Sequence, residues 1–97
     1  MAIELSNAVA PAKSSVCCDL TDEVVVLDLS SGVYFGLQGV GSAMWHFIQQ
    51  PRTVQEVVDH LMSEYEISRE DCVAKTVGFL EELARHRLIA INGDVAA

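Results

Sequence analysis

The sequence has little positive charge: six Lys and Arg residues stand against 14 Asp and Glu residues, giving a net charge of −8. Nucleic acids and anionic membrane surfaces attract basic proteins, so this balance argues against both as partners. No apolar run approaches the ~20 residues of a membrane-spanning helix. Residues 1–6 lack the basic region and apolar core of a secretory signal. We therefore expect a cytoplasmic protein with no nucleic-acid or membrane partner.

Cysteine is scarce, and the spacing of the three cysteines is unusual because Cys17 and Cys18 are adjacent. An odd count with this spacing does not resemble a disulfide framework and indicates a reducing compartment. Neighbouring strand residues point to opposite faces of a sheet, so Cys17 and Cys18 cannot face one metal ion from the same side. Cys72 is typical of a small core residue.

Catalytic and metal-binding motifs are also lacking. His46, His60 and His86 lie on different predicted helices, and none has a partner at the spacing of a helical metal pair. The chain contains no nucleophile elbow, phosphate-binding loop or dinucleotide fingerprint. We therefore predict that the protein is not an enzyme and uses neither a metal nor a cofactor.

The clearest positive feature is a β-hairpin. Residues 24–29 are mainly apolar and rich in β-branched side chains, residues 33–37 form a second apolar run, and Ser30, Ser31 and Gly32 between them supply turn chemistry. Residues 16–20 form a further short strand just before the hairpin. Short connections favour neighbouring strands, so the order predicts a three-stranded antiparallel sheet.

Three helices are predicted after the sheet, over residues 40–49, from Thr53 onward, and from Ser68 to about His86. Thr53 and Glu56 form a capping box, in which the hydroxyl and the carboxylate each accept a hydrogen bond from an unpaired backbone amide. Gly41 costs the first helix ~1 kcal/mol relative to Ala. Such a cost usually accompanies close packing, and we expect Gly41 to pack against the third predicted strand.

The order of elements defines one α+β domain over residues 15–91, a sheet wing on a helix-turn-helix core. Residues 1–14 and 92–97 are predicted to be flexible tails. The longest helix has a wide apolar face, and two arrangements remain open for it. Either the whole face lies in the core, or one of two rows packs inward and the other lines a groove. The rows are Cys72, Thr76, Phe79 and Leu83, and Val73, Val77, Leu80 and Ala84.

Residues 16–91 resemble the PqqD-like proteins, also called RiPP recognition elements. The resemblance is carried by an aliphatic-Asp strand, a Gly-x-Tyr-Phe strand from Gly32 to Phe35, and the Gly-x-x-x-Trp pattern from Gly41 to Trp45. The segments 51–58 and 79–89 extend it. The chain departs from the family pattern at Gln38, where Asn is common, and at residues 86–87, where a Gly is usual.

The resemblance implies a winged helix-turn-helix and a non-catalytic function. Family members bind the leader segment of a ribosomally made precursor peptide, which adds as a strand in the cleft between residues 33–37 and the third helix. They then present it to a processing enzyme, which for lasso peptides is a leader peptidase. The protein itself is expected to be a monomer or a weak homodimer. The predicted peptide-binding residues are Val33, Tyr34, Phe35, Gly36, Leu37, Val73, Thr76, Val77 and Leu80.

Three alternatives remain at this point. A PqqD-type chaperone would serve a radical enzyme of the pyrroloquinoline quinone pathway. A DNA-binding winged helix would read DNA with the third helix, although Glu70 and Asp71 lie beside Arg69 and Lys75 there and do not give a basic face. An adaptor domain would bind a folded protein and no peptide.

Overall fold

The computed structural model describes residues 3–21, 23–92 and 94–95, the last two by their backbone. These residues form seven strands and three helices. The strands are β1 (Ala8–Pro11), β2 (Ser15–Asp19), β3 (Glu23–Asp28), β4 (Tyr34–Gln38), β5 (Arg52–Thr53), β6 (Ile89–Ile91) and β7 (Asp94–Val95). The helices are α1 (Val40–Phe47), α2 (Val54–Glu64) and α3 (Arg69–Arg85).

The predicted three-stranded antiparallel sheet is confirmed, with the strand order β2-β3-β4. Residues 29–32 form the turn of the hairpin, which begins one residue earlier than predicted because β3 ends at Asp28. Gly32 has a φ of 73°, which glycine adopts without steric cost. Strand β3 alternates between buried and half-buried side chains, because one face of the sheet covers the helices. The α+β class, with three helices after this sheet, is therefore as predicted.

A second sheet was not predicted, and it corrects the assignment to a flexible tail for residues 3–12, while Met1 and Ala2 lie outside the described residues. This sheet has the order β5-β1-β6-β7, with β1 pairing antiparallel to both β5 and β6. Val9 in β1 is only 1% exposed, and Ile3 and Ala12 are buried as well. The segment is ordered because it supplies both core side chains and backbone hydrogen bonds. Asp94–Val95 likewise pairs with β6, while Gly93, Ala96 and Ala97 of the second predicted tail lie outside the described residues.

Side chains cap the starts of α2 and α3, and at α2 the predicted capping box is present. The Thr53 hydroxyl accepts a hydrogen bond from the Glu56 backbone amide at 3.1 Å, and the Glu56 carboxylate accepts from the Thr53 amide at 2.9 Å. Ser68 caps α3 by accepting from the Asp71 amide at 3.3 Å. Helix α1 ends at Phe47, two residues before the predicted end at residue 49 and ahead of Pro51.

Helix α3 ends in a Schellman motif. The Leu88 amide donates to the Leu83 carbonyl at 3.0 Å, and the Arg87 amide donates to the Ala84 carbonyl at 3.0 Å. This geometry places Arg87 in the left-handed region, with a φ of 61°. Glycine usually occupies this place in such caps, and this is one of the two points where the sequence departs from the family pattern.

The core lies between the two sheets and the helices. Fully buried side chains come from every helix and both sheets, so the elements form one apolar cluster. The largest of them are Trp45, Ile48, Leu80, Leu88 and Ile89. This cluster fixes α3 beside β4, which is the relationship on which the candidate site depends.

Candidate functional site

Strand β4 is an open edge of the three-stranded sheet. Among the described strands it pairs only with β3. The Asp28 amide donates to the Val33 carbonyl at 2.9 Å, and bonded pairs alternate along an antiparallel ladder. The backbone groups of Gly36 and Gln38 therefore point away from β3. They are available to another extended chain.

This open edge borders a groove of about 810 Å³ between β4 and α3. Helix α1 and the turn between α2 and α3 close its remaining sides. Most of the lining is apolar, and the charged groups are of both signs. The lining residues are Gly36, Leu37, Gln38, Val40, Gly41, Met44, Leu61, Tyr65, Glu66, Ile67, Ser68, Asp71, Cys72, Lys75, Thr76 and Phe79.

Three of the residues predicted for peptide binding line this groove: Gly36, Leu37 and Thr76. Leu37 and Thr76 are buried and form its floor, whereas Gly36 lies at the exposed strand edge. As peptide contacts they stay predictions. Their common position beside the open backbone edge makes them the best-placed members of the predicted set.

The other strand residues lie outside the groove, nearer the hairpin turn. Val33 is exposed, and Tyr34 is 71% exposed on the outer face of the sheet. Phe35 faces inward, and its ring lies 4.6 Å from that of His86, centroid to centroid. These residues flank the groove at the end of α3, so a peptide would reach them only by extending along β4.

The helix residues divide by their direction around α3. Leu80 is 0% exposed and belongs to the core, while Val73 and Val77 are half-buried against it and do not line the groove. Cys72 and Phe79, from the other apolar row, join Thr76 in the lining. Successive residues are ~100° apart around a helix, so Phe79 and Leu80 serve different surfaces although they are adjacent.

The side of the groove that α1 and the α2–α3 turn provide was not predicted from the sequence. Val40 and Met44 come from α1, and Tyr65 and Ile67 from the turn. Val40 and Tyr65 are large apolar residues that remain more than two-fifths exposed. A large apolar residue at a helix end was the only feature of the sequence that could have indicated this side of the groove. Single apolar residues are common on protein surfaces, so the indication is weak.

The hairpin turn that leads into β4 is held by one buried carboxylate. Asp28 accepts hydrogen bonds from the Ser30 hydroxyl at 2.9 Å, the Ser31 hydroxyl at 2.9 Å and the Ser30 amide at 3.2 Å. The hydrogen bonds from Ser30 and Ser31, with a smaller contribution from the charge of Arg87, hold the pKa of Asp28 below its usual value. The turn therefore fixes where β4 begins.

Across the described residues, no cluster of three or more His, Cys, Asp or Glu side chains could hold a metal ion. In the same residues, no helix is both long and apolar enough to cross a membrane.

Three comparisons relate this chain to known proteins. The family described as coenzyme PQQ synthesis protein D (PqqD) matches residues 23–89, more than two thirds of the chain. A search of the curated proteins gave no significant match. The solved structure of TbiB1 in complex with the TbiA(beta) leader peptide is similar, with a TM-score of 0.79 and 34% identity over 82% of this chain and 93% of that one.

A second similar structure is lasso peptide synthetase B1 complexed with the leader peptide. It has a TM-score of 0.76 and 20% identity, and the match covers 84% of this chain and 95% of that one. At this identity the likeness shows a shared fold. The family match over residues 23–89 and the 34% identity to TbiB1 agree, and this chain belongs to the PqqD family.

Proposed function

We propose that this protein binds the leader segment of a ribosomally synthesised precursor peptide and delivers it to a processing enzyme. The observation that carries the proposal is the open backbone edge of β4 beside an apolar groove. An extended peptide that adds to such an edge gains main-chain hydrogen bonds, and side-chain pockets next to the edge give selectivity.

The backbone of β4 supplies the first part of the binding energy. The N–H and C=O groups of Gly36 face the open edge, and the same holds for Gln38 two residues further along. Each hydrogen bond to a peptide contributes a net ~0.5–1.5 kcal/mol, because it replaces a hydrogen bond to water. Backbone hydrogen bonds do not depend on the side chains of the peptide. They therefore determine its position and direction along β4 but not which sequence is bound.

The groove supplies the second part. Leu37, Met44 and Phe79 present apolar surface to a side chain that projects from the peptide toward α3. Burying an apolar anchor is worth about 1.5–3 kcal/mol. Ordering and docking a flexible peptide offsets part of this gain. Two or three anchors together with backbone pairing give a micromolar or tighter complex, about −8 kcal/mol.

The comparisons support a lasso-peptide type of maturation. TbiB1, at 34% identity, is bound to a leader peptide in its structure. The processing enzyme would then be a leader peptidase, and this protein would act without catalysing a reaction, in the cytoplasm. The family description favours a second candidate, a chaperone of pyrroloquinoline quinone synthesis that serves a radical enzyme.

Strand addition at the β4 edge can be tested by substituting Gly36, because the Gly36 amide is not used in pairing with β3. Gly36→Pro removes that N–H, and proline is tolerated at such edge positions. Gly36→Ala is the matched control: it keeps the N–H and adds a Cβ 3.3 Å from the flexible end of Glu23. The probe is a fluorescein-labelled leader of the precursor encoded beside this protein, followed by fluorescence polarisation.

We expect saturable binding that Gly36→Pro weakens about tenfold or more and Gly36→Ala changes about twofold or less. Mass spectrometry of the incubated peptide should show an unchanged mass. Failure of the folded parent protein to bind would refute the proposal. Equal binding by the proline variant would refute strand addition at this edge, and a cleaved or modified peptide would refute the non-catalytic role.

A further inference from the structure

The opposite edge of the same sheet, strand β2, is also open. Within the described residues β2 pairs only with β3. The Leu20 amide donates to the Glu23 carbonyl at 2.8 Å, and bonded pairs alternate from there, so Cys18 and Val16 use their backbone groups toward β3. The backbone groups of Cys17 and Asp19 point to the free edge.

The side chains of this edge are apolar on one face. Val16 is 47% exposed and Leu20 is 50% exposed, and both lie on the outer face of the sheet together with exposed Cys18. Natural proteins usually protect an open edge with lysine, proline or a bulge. Strand β2 contains neither lysine nor proline, and its register with β3 is continuous from Ser15 to Asp19.

We propose that β2 pairs with β2 of a second copy of this chain, antiparallel about a two-fold axis through Cys18, and that a disulfide between the two Cys18 residues locks the pair. In this register Cys17 of each copy lies opposite Asp19 of the other. Their free backbone groups form four hydrogen bonds. Val16 lies opposite Leu20 of the second copy, so the exposed apolar side chains cover one another.

The geometry of Cys18 suits the disulfide. Its backbone groups point to β3, which makes Cys18 and its counterpart a non-hydrogen-bonded pair across the axis. Such pairs have Cα atoms ~4.5 Å apart. Disulfides span Cα separations of about 4.4–6.8 Å. The link therefore forms without movement of the backbone.

Neighbouring registers fit less well. An axis through Cys17 places Val16 opposite Cys18 and leaves Leu20 opposite polar Ser14. An axis through Asp19 places two carboxylates directly opposite each other, and like charges across strands are destabilising. The axis through Cys18 is the one that matches the three apolar side chains and separates the acidic ones.

The net charge of each copy and the small area buried at the β2–β2 contact determine whether two copies pair without the disulfide. Each copy has a net charge of −8, which opposes the association of two copies. One short strand edge per copy buries far less than the ~800 Å² per partner of a standard interface. The reduced protein is therefore a monomer, and the disulfide decides the oligomeric state.

The oxidant is a low-molecular-weight disulfide such as glutathione disulfide, so in a reducing cytoplasm the pair forms only while this oxidant accumulates. A Cys18 thiolate attacks it and releases one thiol, and the second Cys18 thiolate displaces the other from the mixed disulfide. Two protein thiols are thereby oxidised and one small disulfide is reduced to two thiols. Both β4 edges lie at the far ends of the resulting six-stranded sheet, so this inference is independent of the proposed function.

The test is oxidation with glutathione disulfide, followed by non-reducing mass spectrometry and light scattering. Parent protein and Cys17→Ser should form a dimer that dithiothreitol reverses, while Cys18→Ser should form at least about tenfold less dimer. Leu20→Lys should slow dimer formation several-fold. Leu29→Lys, at a 58% exposed site outside β2, should not. Circular dichroism verifies that each variant is folded.

Three results would overturn the inference. One is a monomeric parent protein under oxidation, whether its thiols stay free, carry glutathione or close within one chain. Another is a dimer whose peptide map joins Cys17 to Cys17. The third is dimer formation that Leu20→Lys and Leu29→Lys affect equally, which would show that the β2 edge is not the contact.

Discussion

Gly41 of α1 and Phe79 of α3 meet so closely that any side chain at residue 41 requires the Phe79 ring or α1 to move by a few tenths of an ångström. A Cβ placed there would lie 3.1 Å from Cζ and 3.2 Å from Cε1 of the Phe79 ring. The close packing expected from a glycine inside a helix is present, but its main partner is α3, since the nearest strand atom, Leu37 Cβ, is 4.0 Å away. This contact sets the position of the ring that lines the groove.

Gly41→Ala should therefore weaken peptide binding. The added methyl pushes the Phe79 ring toward the groove or α1 away from it, and either shift alters the pocket. We expect several-fold weaker binding by fluorescence polarisation. The melting temperature should change little, because the gain in helix propensity of ~1 kcal/mol offsets the crowding.

Gly78→Ala is the matched control for this substitution. Gly78 lies in α3, next to Phe79, and a Cβ there meets no atom within 4 Å. The same change in helix propensity should raise stability by ~1 kcal/mol and leave binding unchanged. Equal binding by both variants would show that the Gly41–Phe79 contact does not shape the groove.

Phe79→Ala removes an aromatic wall of the groove and should weaken binding about tenfold to hundredfold, because the ring no longer covers an apolar anchor. Phe47→Ala is the comparison. Phe47 is also half-buried, but it stacks on His60 with centroids 4.1 Å apart, and it does not line the groove. Titration of both variants with the same labelled leader tests the difference. Comparable losses would point to a general loss of stability.

Arg87→Gly should stabilise the protein. The residue is held at a φ of 61°, where a side chain costs about 1–2 kcal/mol that glycine avoids. A gain of ~1 kcal/mol raises the melting temperature by about 4–8 °C in a domain of this size. Differential scanning fluorimetry measures it. Arg87→Ala removes the same charge but keeps the Cβ, so it should show no such gain.

Asp28→Asn should change how stability depends on pH. The pKa of Asp28 is lowered in the folded state by the hydroxyls of Ser30 and Ser31. The charged form therefore stabilises the fold at neutral pH, and this contribution disappears as the pH falls below about 4. Urea unfolding at several pH values should show a variant that is less stable near pH 7 and loses stability less steeply in acid. Parallel curves for the two proteins would contradict this.

Features formed by residues close together in the sequence, such as the hairpin turn and the helix cap, were predictable from the sequence. The hairpin turn and the capping box at Thr53 depend on side chains within a few residues of one another. Gly32 has the expected positive φ and the capping box has the predicted partners, although the hydrogen bonds from Ser30 and Ser31 to Asp28 were not predicted. The three-stranded sheet followed from the short connections between its strands. Strand β1 was missed because it is four residues long, includes Pro11 and pairs with residues far along the chain.

The sequence also did not determine which face of α3 turns toward the groove. Both of its apolar rows are suited to a core, so their pattern does not determine the rotation of the helix against β4. The structure places Leu80 in the core and Phe79 at the groove, and the packing of Phe79 on Gly41 is one contact that fixes this rotation. That contact joins residues 38 positions apart in the sequence.

The pairing of Val9 with Ile91 has a consequence for folding during synthesis. Strand β1 leaves the ribosome early, yet one of its two partner strands emerges only after α3 is complete. The second sheet cannot close until residue 91 is free, so the β2-β3-β4 hairpins and the helices can assemble first. Until then Val9 has no partner in β6, so the second sheet closes after the first sheet and α3 have been synthesised.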